Sequence, residues 1–330
     1  MPQLSLPSVL TIFAVFVAAG VGVSVLAVSA ANAEETCDFP VASGSASSLV
    51  EVQGQEGTIP SISFPTPLVT SDRELTLISE GTGEPVREGG YIDFDVSVFA
   101  GVDQQLLTSS SYDSTNPVRR VIASAGEDFF GSLLECQRPG SRVVITTTVG
   151  DVFGPVAENE LLQMDSTVVL VADIHQTYPQ RAMGDPRLPQ SGLPTVVQAP
   201  GGEHGLSFPN GPIAEELRVS VLKKGAGVPV AEGDFVTATF TGVVWDTRTV
   251  FISSFEQGVP LSLVAIDITT SEDGRGVVPG LATALIGQTV GSQVLVSLPP
   301  GLGYPPGSAP PGVPEGTTLV YVFDILGVTN

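Results

Sequence analysis

The chain has 330 residues, with 35 Asp and Glu against 13 Lys and Arg, a net charge of −22, and 37 glycines and 27 prolines. That length allows two domains, each able to bury a core, and the lack of basic residues excludes a nucleic-acid binder, which must neutralise phosphates. Valine and threonine are abundant and helical periodicity is scarce, so the fold class is mostly β (α+β).

The apolar run Val9 to Val28, followed by Ala31-Asn32-Ala33, reads as a signal peptide over residues 1–33 with cleavage after Ala33. No Lys or Arg precedes the run, and about 20 apolar residues suffice to span a bilayer. An uncleaved anchor is therefore the alternative, and the only route to membrane attachment. Either way the rest of the chain is expected outside the cytoplasm, secreted or associated with the cell envelope. Cys37 and Cys136 are the only cysteines. In an oxidising compartment two such thiols are expected as a disulfide rather than as free buried groups. Residues 34–71 are polar, with strand-like pieces at 49–52 and 59–64 that are expected to add an edge strand to the domain after them.

From Ile78 the chain repeats itself. ISEGTGEPVREGGYIDFDVSV matches LKKGAGVPVAEGDFVTATFTG from Leu222 without a gap at an offset of 144, and the register carries on to Ser109-Ser110 against Ser253-Ser254. Further on, PGSRVVIT matches VGSQVLVS and VLVADI matches VYVFDI at an offset of 151, so the second copy has seven extra residues, assigned to the acidic stretch Ile268–Gly276. A repeat of this length implies two homologous domains, 72–177 and 216–330. The segment 178–215, with prolines at 179, 186, 189, 194, 200, 209 and 212, reads as a semi-rigid extended linker. Each copy is expected to run strand, glycine turn, strand, loop, short helix, strand, loop, strand. Phe235–Phe240 alternates like a half-buried strand, Thr318–Ile325 is continuously apolar like a central one, and Leu281, Ala284 and Leu285 put one apolar face on a short helix that Gly287 ends.

Several chemistries find no residues to carry them. His175 and His204 lack a neighbouring ligand set, so no metal is expected. There is no Gly-x-Ser-x-Gly elbow to support a serine hydrolase. The GTG and GAG stretches are not followed by helices and so are not phosphate cradles.

GAGVPVAEGDFVTATFTG, FISS, VVPGL, VGSQVLVSLPPGLGYP and VPEGTTLVYVFDIL resemble, in order and spacing, the FKBP-type peptidyl-prolyl cis–trans isomerases. The match covers nearly all of the second domain. The resemblance implies two FKBP-like domains, each a curved antiparallel sheet wrapped around one short helix, the first a divergent copy. Tandem domains behind an export leader are similar to exported isomerases of high-GC Gram-positive bacteria. The family's pocket maps onto Phe251 and Tyr304 as catalytic residues, with Phe240, Ile252, Leu261, Val278, Leu281, Val313 and Tyr321 around the substrate. Three positions depart from the family pattern: Phe240 replaces Tyr, Ile252 replaces Asp, and Leu281 replaces the Trp of the pocket floor. The first two belong together, because removing both partners of a polar pair can be nearly neutral. The first copy has Val96, Leu107, Thr108 and Phe153 opposite Phe240, Phe251, Ile252 and Tyr304, which implies a non-catalytic domain. Such a pocket needs no cofactor and no metal. The implied activity is isomerisation of X-Pro bonds in unfolded or nascent exported proteins. The alternative is a weakly active or inactive FKBP-like module that binds proline-containing segments as a chaperone.

Overall fold

The computed structural model describes residues 37, 39–113, 116–122, 129–155 and 163–329. The expected signal peptide lies outside them. Among the described residues no helix is long and apolar enough to cross a membrane.

Strand alternation sets the architecture. In Phe235–Val244, Val236, Ala238 and Phe240 face a core that includes the short helix, while Thr237, Thr239 and Thr241 point to the opposite face. The strands on which both faces are apolar lie centrally, as the continuous apolar runs predict.

In chain order the elements begin with a hairpin of β1 (Glu51–Gln53) and β2 (Ser61–Ser63). Next come β3 (Glu74–Ser79), β4 (Tyr91–Ala100), β5 (Leu106–Ser109), β6 (Val118–Val121), α1 (Phe129–Leu134), β7 (Arg142–Thr148), α2 (Val149–Phe153) and β8 (Thr167–Tyr178). These strands form an antiparallel sheet in the order β3-β7-β8-β4-β5, with β6 also paired to β4. The second half runs β9 (Asp185–Pro186), β10 (Thr195–Gln198), β11 (His204–Ser207), β12 (Arg218–Lys224), β13 (Phe235–Val244), β14 (Thr249–Ser253), β15 (Leu261–Val264), α3 (Pro279–Leu285), β16 (Gln293–Leu298) and β17 (Leu319–Thr329). Its sheet has the order β14-β13-β17-β16-β12-β9, with β15 also on β13. The stretch read as a loop before each helix therefore holds two short strands. The class is mostly β.

Residues 178–215 do not form an extended linker. They place β9 on the edge of the second sheet and fold β10 and β11 into a hairpin. Leu193, Val196, Leu206, Phe208 and Ile213 cover Trp245, Leu295, Val320 and Val322 on the sheet's outer face. The reason is physical: a central strand apolar on both sides needs cover on both. The first hairpin does the same, so β1 and β2 pair with each other rather than extending the first sheet. Val50, Val52, Ile62, Phe64 and Leu68 lie over Phe99, Val144, Val169 and Val171.

A buried carboxylate fixes each hairpin. Asp324 accepts from Ala182 N (3.0 Å), from Gln198 Nε2 in the hairpin (2.7 Å) and from Gln293 Nε2 (2.7 Å). Asp173 accepts Gly57 N (3.0 Å) and pairs with Arg142, whose Nη1 and Nη2 donate to Gly54 O and Gln55 O in the hairpin turn. Both charges are buried and supplied with donors, as burial requires.

The Cys37–Cys136 disulfide is present and spans 99 residues. Cys136 has φ 69° where the second copy ends α3 with Gly287 at φ 82°. A Cβ in that left-handed conformation costs about 1–2 kcal/mol, so the cross-link holds a turn that the second copy leaves to glycine. Arg119 joins the two sheets: Nε and Nη2 bind Asp93 (2.6 Å each), while Nη1 donates to Pro260 O and Ser262 Oγ on the β15 side.

Candidate active site

A cavity of about 370 Å³ opens between the inner face of the second sheet and α3. Its wall comes from four directions. Phe240 on β13 and Tyr321 and Phe323 on β17 form the sheet side, Ile252 and Leu263 come from β14 and β15, Val278 and Leu281 from the start of α3, and Tyr304, Pro305 and Ser308 from the proline-rich loop.

Local sequence explains each placement. Val278 caps α3 at its N-terminus with Pro279 next, a position where proline's fixed φ suits the helix and its missing N–H costs nothing. Gly242 lets the aromatic wall close: a Cβ there would stand 2.6 Å from Ile252 Cγ2 and 2.9 Å from both Phe251 Cζ and Tyr321 Cε1. Ser254 Oγ accepts the buried Phe240 N–H at 2.9 Å, and Ser110 does the same for Val96 at 3.1 Å. The repeated Ser-Ser thus brackets the strand beside the cavity instead of facing a substrate.

The aromatic side is tightly ordered. The Tyr321 ring stacks on Phe323 at 5.6 Å and 10°, and Phe251 meets Tyr321 edge-on at 5.6 Å and 87°. Phe240 lies 5.3 Å from Phe323. Tyr304 Oη and Tyr321 Oη are 3.1 Å apart, a hydrogen-bonded pair. Burial, and after it the neighbouring Tyr304, pushes the Tyr321 phenol far above its usual range, so it stays neutral at any working pH. None of the buried unpartnered side-chain atoms found among the described residues, on Gln137, His204, Thr239 and Ser297, lines the cavity. Replacing a polar pair by Phe240 and Ile252 together leaves no stranded group there.

Of the residues named from sequence, Phe240, Ile252, Val278, Leu281, Tyr304 and Tyr321 meet around this cavity. Phe251 stands behind the Tyr321 ring, and Leu261 packs against the same core from β15. Val313 lines a neighbouring hollow of about 530 Å³, with Pro305, Pro306 and Pro314, that meets the first at Tyr304 and Pro305. Sequence reasoning missed Leu263, Ile268, Gly276, Val277, Pro305, Ser308 and Phe323. Ile268 and Gly276 bound the stretch that holds the seven extra residues of the second copy, and that difference between the copies was the signal that could have found them.

In the first half, Val96 and Leu107 are partly buried against the core, and Phe153 ends α2 with 40% of its surface exposed. Phe130, at the offset of 151 from Leu281, lies 5.5 Å from Phe94. His175 Nε2 is 2.7 Å from Asp95 Oδ2, and His204 lies 3.5 Å from Asp324, both away from the cavity. Among the described residues no group of three His, Cys, Asp or Glu side chains could hold a metal ion.

Comparison with known proteins assigns the stretch that carries the cavity to a family. The family model for FKBP-type peptidyl-prolyl cis–trans isomerases matches residues 227–326. The chain is 35% identical over 118 residues to the peptidyl-prolyl cis-trans isomerase FKBP15-1 of Arabidopsis thaliana, covering 35% of this chain and 71% of the relative. It is 29% identical over 122 residues to a probable FK506-binding protein of Corynebacterium glutamicum, covering 37% of this chain and 94% of that one. A solved structure of the three FKBP domains of wheat FKBP73 aligns over 78% of this chain and 94% of its own, with 17% identity and a TM-score of 0.32. The residues that build the apolar cavity fall within the matched stretch, and the chain belongs to the FKBP-type peptidyl-prolyl cis–trans isomerase family.

Proposed function

We propose that the protein isomerises X-Pro bonds of unfolded exported proteins in the cavity of its second half, and that the first half, a divergent copy, does no catalysis. The observation that carries this reading is an apolar cavity of about 370 Å³ with a tyrosine hydroxyl at its rim. Rotation about an X-Pro bond is slow because amide resonance must be broken, over a barrier of ~18–20 kcal/mol. The twisted amide is less polar than the planar one, so a dry wall of Phe240, Ile252, Leu281 and Phe323 favours it by desolvating the imide. Tyr304 donates to the substrate carbonyl and holds the pose while the bond turns. No covalent intermediate is needed, and each ~1.36 kcal/mol of barrier lowered is a tenfold gain.

Export is part of the proposal. It is supported by the leader-like residues 1–33 and by a disulfide that an oxidising compartment would maintain. A second reading, a module that binds proline-containing segments with little turnover, is favoured by Leu281, which offers the proline ring a smaller surface than an aromatic floor. The test is a refolding or protease-coupled assay of the full chain with an X-Pro peptide. The proposal expects acceleration that falls to background in the double variant Phe251→Ala/Tyr304→Phe. Binding of the peptide without acceleration would favour the second reading, and activity surviving in that double variant would move the chemistry to the first half.

A further inference from the structure

We infer that Tyr321 is a positioning residue that aims the Tyr304 proton into the cavity. This rests on the proposed isomerase reading and concerns how its one rim donor is set. Two phenols hold two protons, and one is used between them across the 3.1 Å contact. Which one decides what the site can do.

If Tyr304 donated, the Tyr321 proton would be left inside the protein. Tyr321 is 2% exposed, its ring is held by Phe323 on one side and Phe251 on another, and among the described residues Tyr304 is its hydrogen-bond partner. A buried donor without an acceptor is costly. If Tyr321 donates, its proton is satisfied, and the proton of the partly exposed Tyr304 is free at the cavity rim. The second arrangement leaves nothing unmet, so Tyr321 donates and Tyr304 accepts. A hydroxyl that accepts a hydrogen bond also becomes a stronger donor. Tyr321 therefore orients Tyr304 and strengthens the bond it makes to the substrate carbonyl, without touching that carbonyl itself. The side chain can stand there because Gly242 gives its ring room.

The test is a double-mutant cycle in the full chain: wild type, Tyr304→Phe, Tyr321→Phe and the double variant. For each, kcat and KM for an X-Pro peptide, peptide affinity and the thermal melt are measured. Each substitution removes a single oxygen, and kinetics are taken where all four variants are folded by circular dichroism. Tyr304→Phe is expected to lower kcat/KM about 2–10-fold, the worth of one hydrogen bond. Tyr321→Phe should lower it less, and the double variant should equal Tyr304→Phe, because the second hydroxyl then has nothing left to act through. Effects that multiply would overturn the inference by making Tyr321 independent. Tyr321→Phe matching the double variant while Tyr304→Phe is milder would overturn it by reversing the roles. A wild type that binds the peptide without turnover removes the isomerase reading alone, since the same cycle on affinity still decides the hydroxyls. No binding and no turnover removes both.

Discussion

Residues 216–330, cut as an isolated domain, should fold poorly, and the reason can be worked from the outer face of the second sheet. In the whole chain Trp245, Leu295, Val320 and Val322 are at most 6% exposed, lidded by the segment that begins at Leu193. Full burial of such side chains contributes ~1.5–3 kcal/mol each. Strand neighbours supply part of that, so losing the lid forfeits about half, or ~3–6 kcal/mol for the four. The compactness of unfolded chains trims this by roughly 10–40%. Asp324 also loses two of its three short hydrogen bonds, those from Ala182 and Gln198. A small domain has only ~5–15 kcal/mol to lose. At ~2–8 °C per kcal/mol for domains of these sizes, the melting temperature of 216–330 should fall by about 10 °C relative to 181–330. The assay is a pair of thermal melts followed by circular dichroism, with dye binding to report exposed apolar surface. If the two fragments melt together without extra dye binding, the hairpin adds nothing and the burial argument is wrong.

Reducing the Cys37–Cys136 bond opens a loop of 99 residues; the chain-entropy model gives ~4.7 kcal/mol for a loop of about that length, an upper figure. The reduced protein should melt measurably lower, and identical melts would refute a stabilising role. Phe251→Ala should damage catalysis more than Tyr304→Phe, since truncating a partly buried Phe that braces the Tyr321 ring costs up to ~3–5 kcal/mol, the figure for a fully buried one, against ~0.5–1.5 for one hydrogen bond; kinetics beside melts decide it, and a deader Tyr304→Phe would show that the hydroxyl outweighs the aromatic packing. Burial alone pushes the Asp324 carboxyl up, but His204 beside it at 3.5 Å and the hydrogen bonds from Gln293 and Ala182 outweigh it and hold it below the usual range. A depressed folded value means stability that is present above the unfolded value of about 3.9 and is lost as pH falls through the folded one. Denaturant midpoints of the wild type should therefore fall below about pH 4 more steeply than those of Asp324→Asn, and parallel curves would refute the assignment.

Much of the site was legible because order along the chain survives folding. Phe240, Ile252, Val278, Leu281, Tyr304 and Tyr321 were named through the family resemblance of five separated blocks and meet at one cavity. The hydroxyl pair was not legible, since nothing in a one-dimensional spacing says that two phenols 17 residues apart come within 3.1 Å. Nor could spacing show that the proline-rich loop folds so that its far limb, with Val313, lines the adjoining hollow rather than the cavity itself. The second hairpin was missed, and the strand-like pieces of the first were assigned to a sheet edge, because strands of only three or four residues give periodicity too little to fix a partner. Yet the repeat does continue upstream. Leu49, Val52 and Ser63-Phe64-Pro65 stand at the offset of 144 from Leu193, Val196 and Ser207-Phe208-Pro209. Val52 pairs with Ile62 as Val196 pairs with Leu206. Of the prolines that suggested a linker, Pro194, Pro200 and Pro209 flank β10 and β11 and Pro186 sits in the edge strand β9, positions where a missing N–H is tolerated.

That longer repeat turns the chain into its own control. What recurs in both halves is what a lobe needs to fold: the lid hairpin, the buried Asp173 or Asp324 that ties it down, and the serine bracket of Ser110 or Ser254. Among the differences between the halves, one group meets at the cavity. Val96 against Phe240, Thr108 against Ile252, Phe153 against Tyr304 and the longer stretch from Ile268 to Gly276 all fall at the cavity of the second half or at the aligned positions of the first. A shared scaffold of hairpin, buried carboxylate and serine bracket around a differently lined cavity is the pattern of one specialised site, and it supports the proposal that the chemistry lies in the second half.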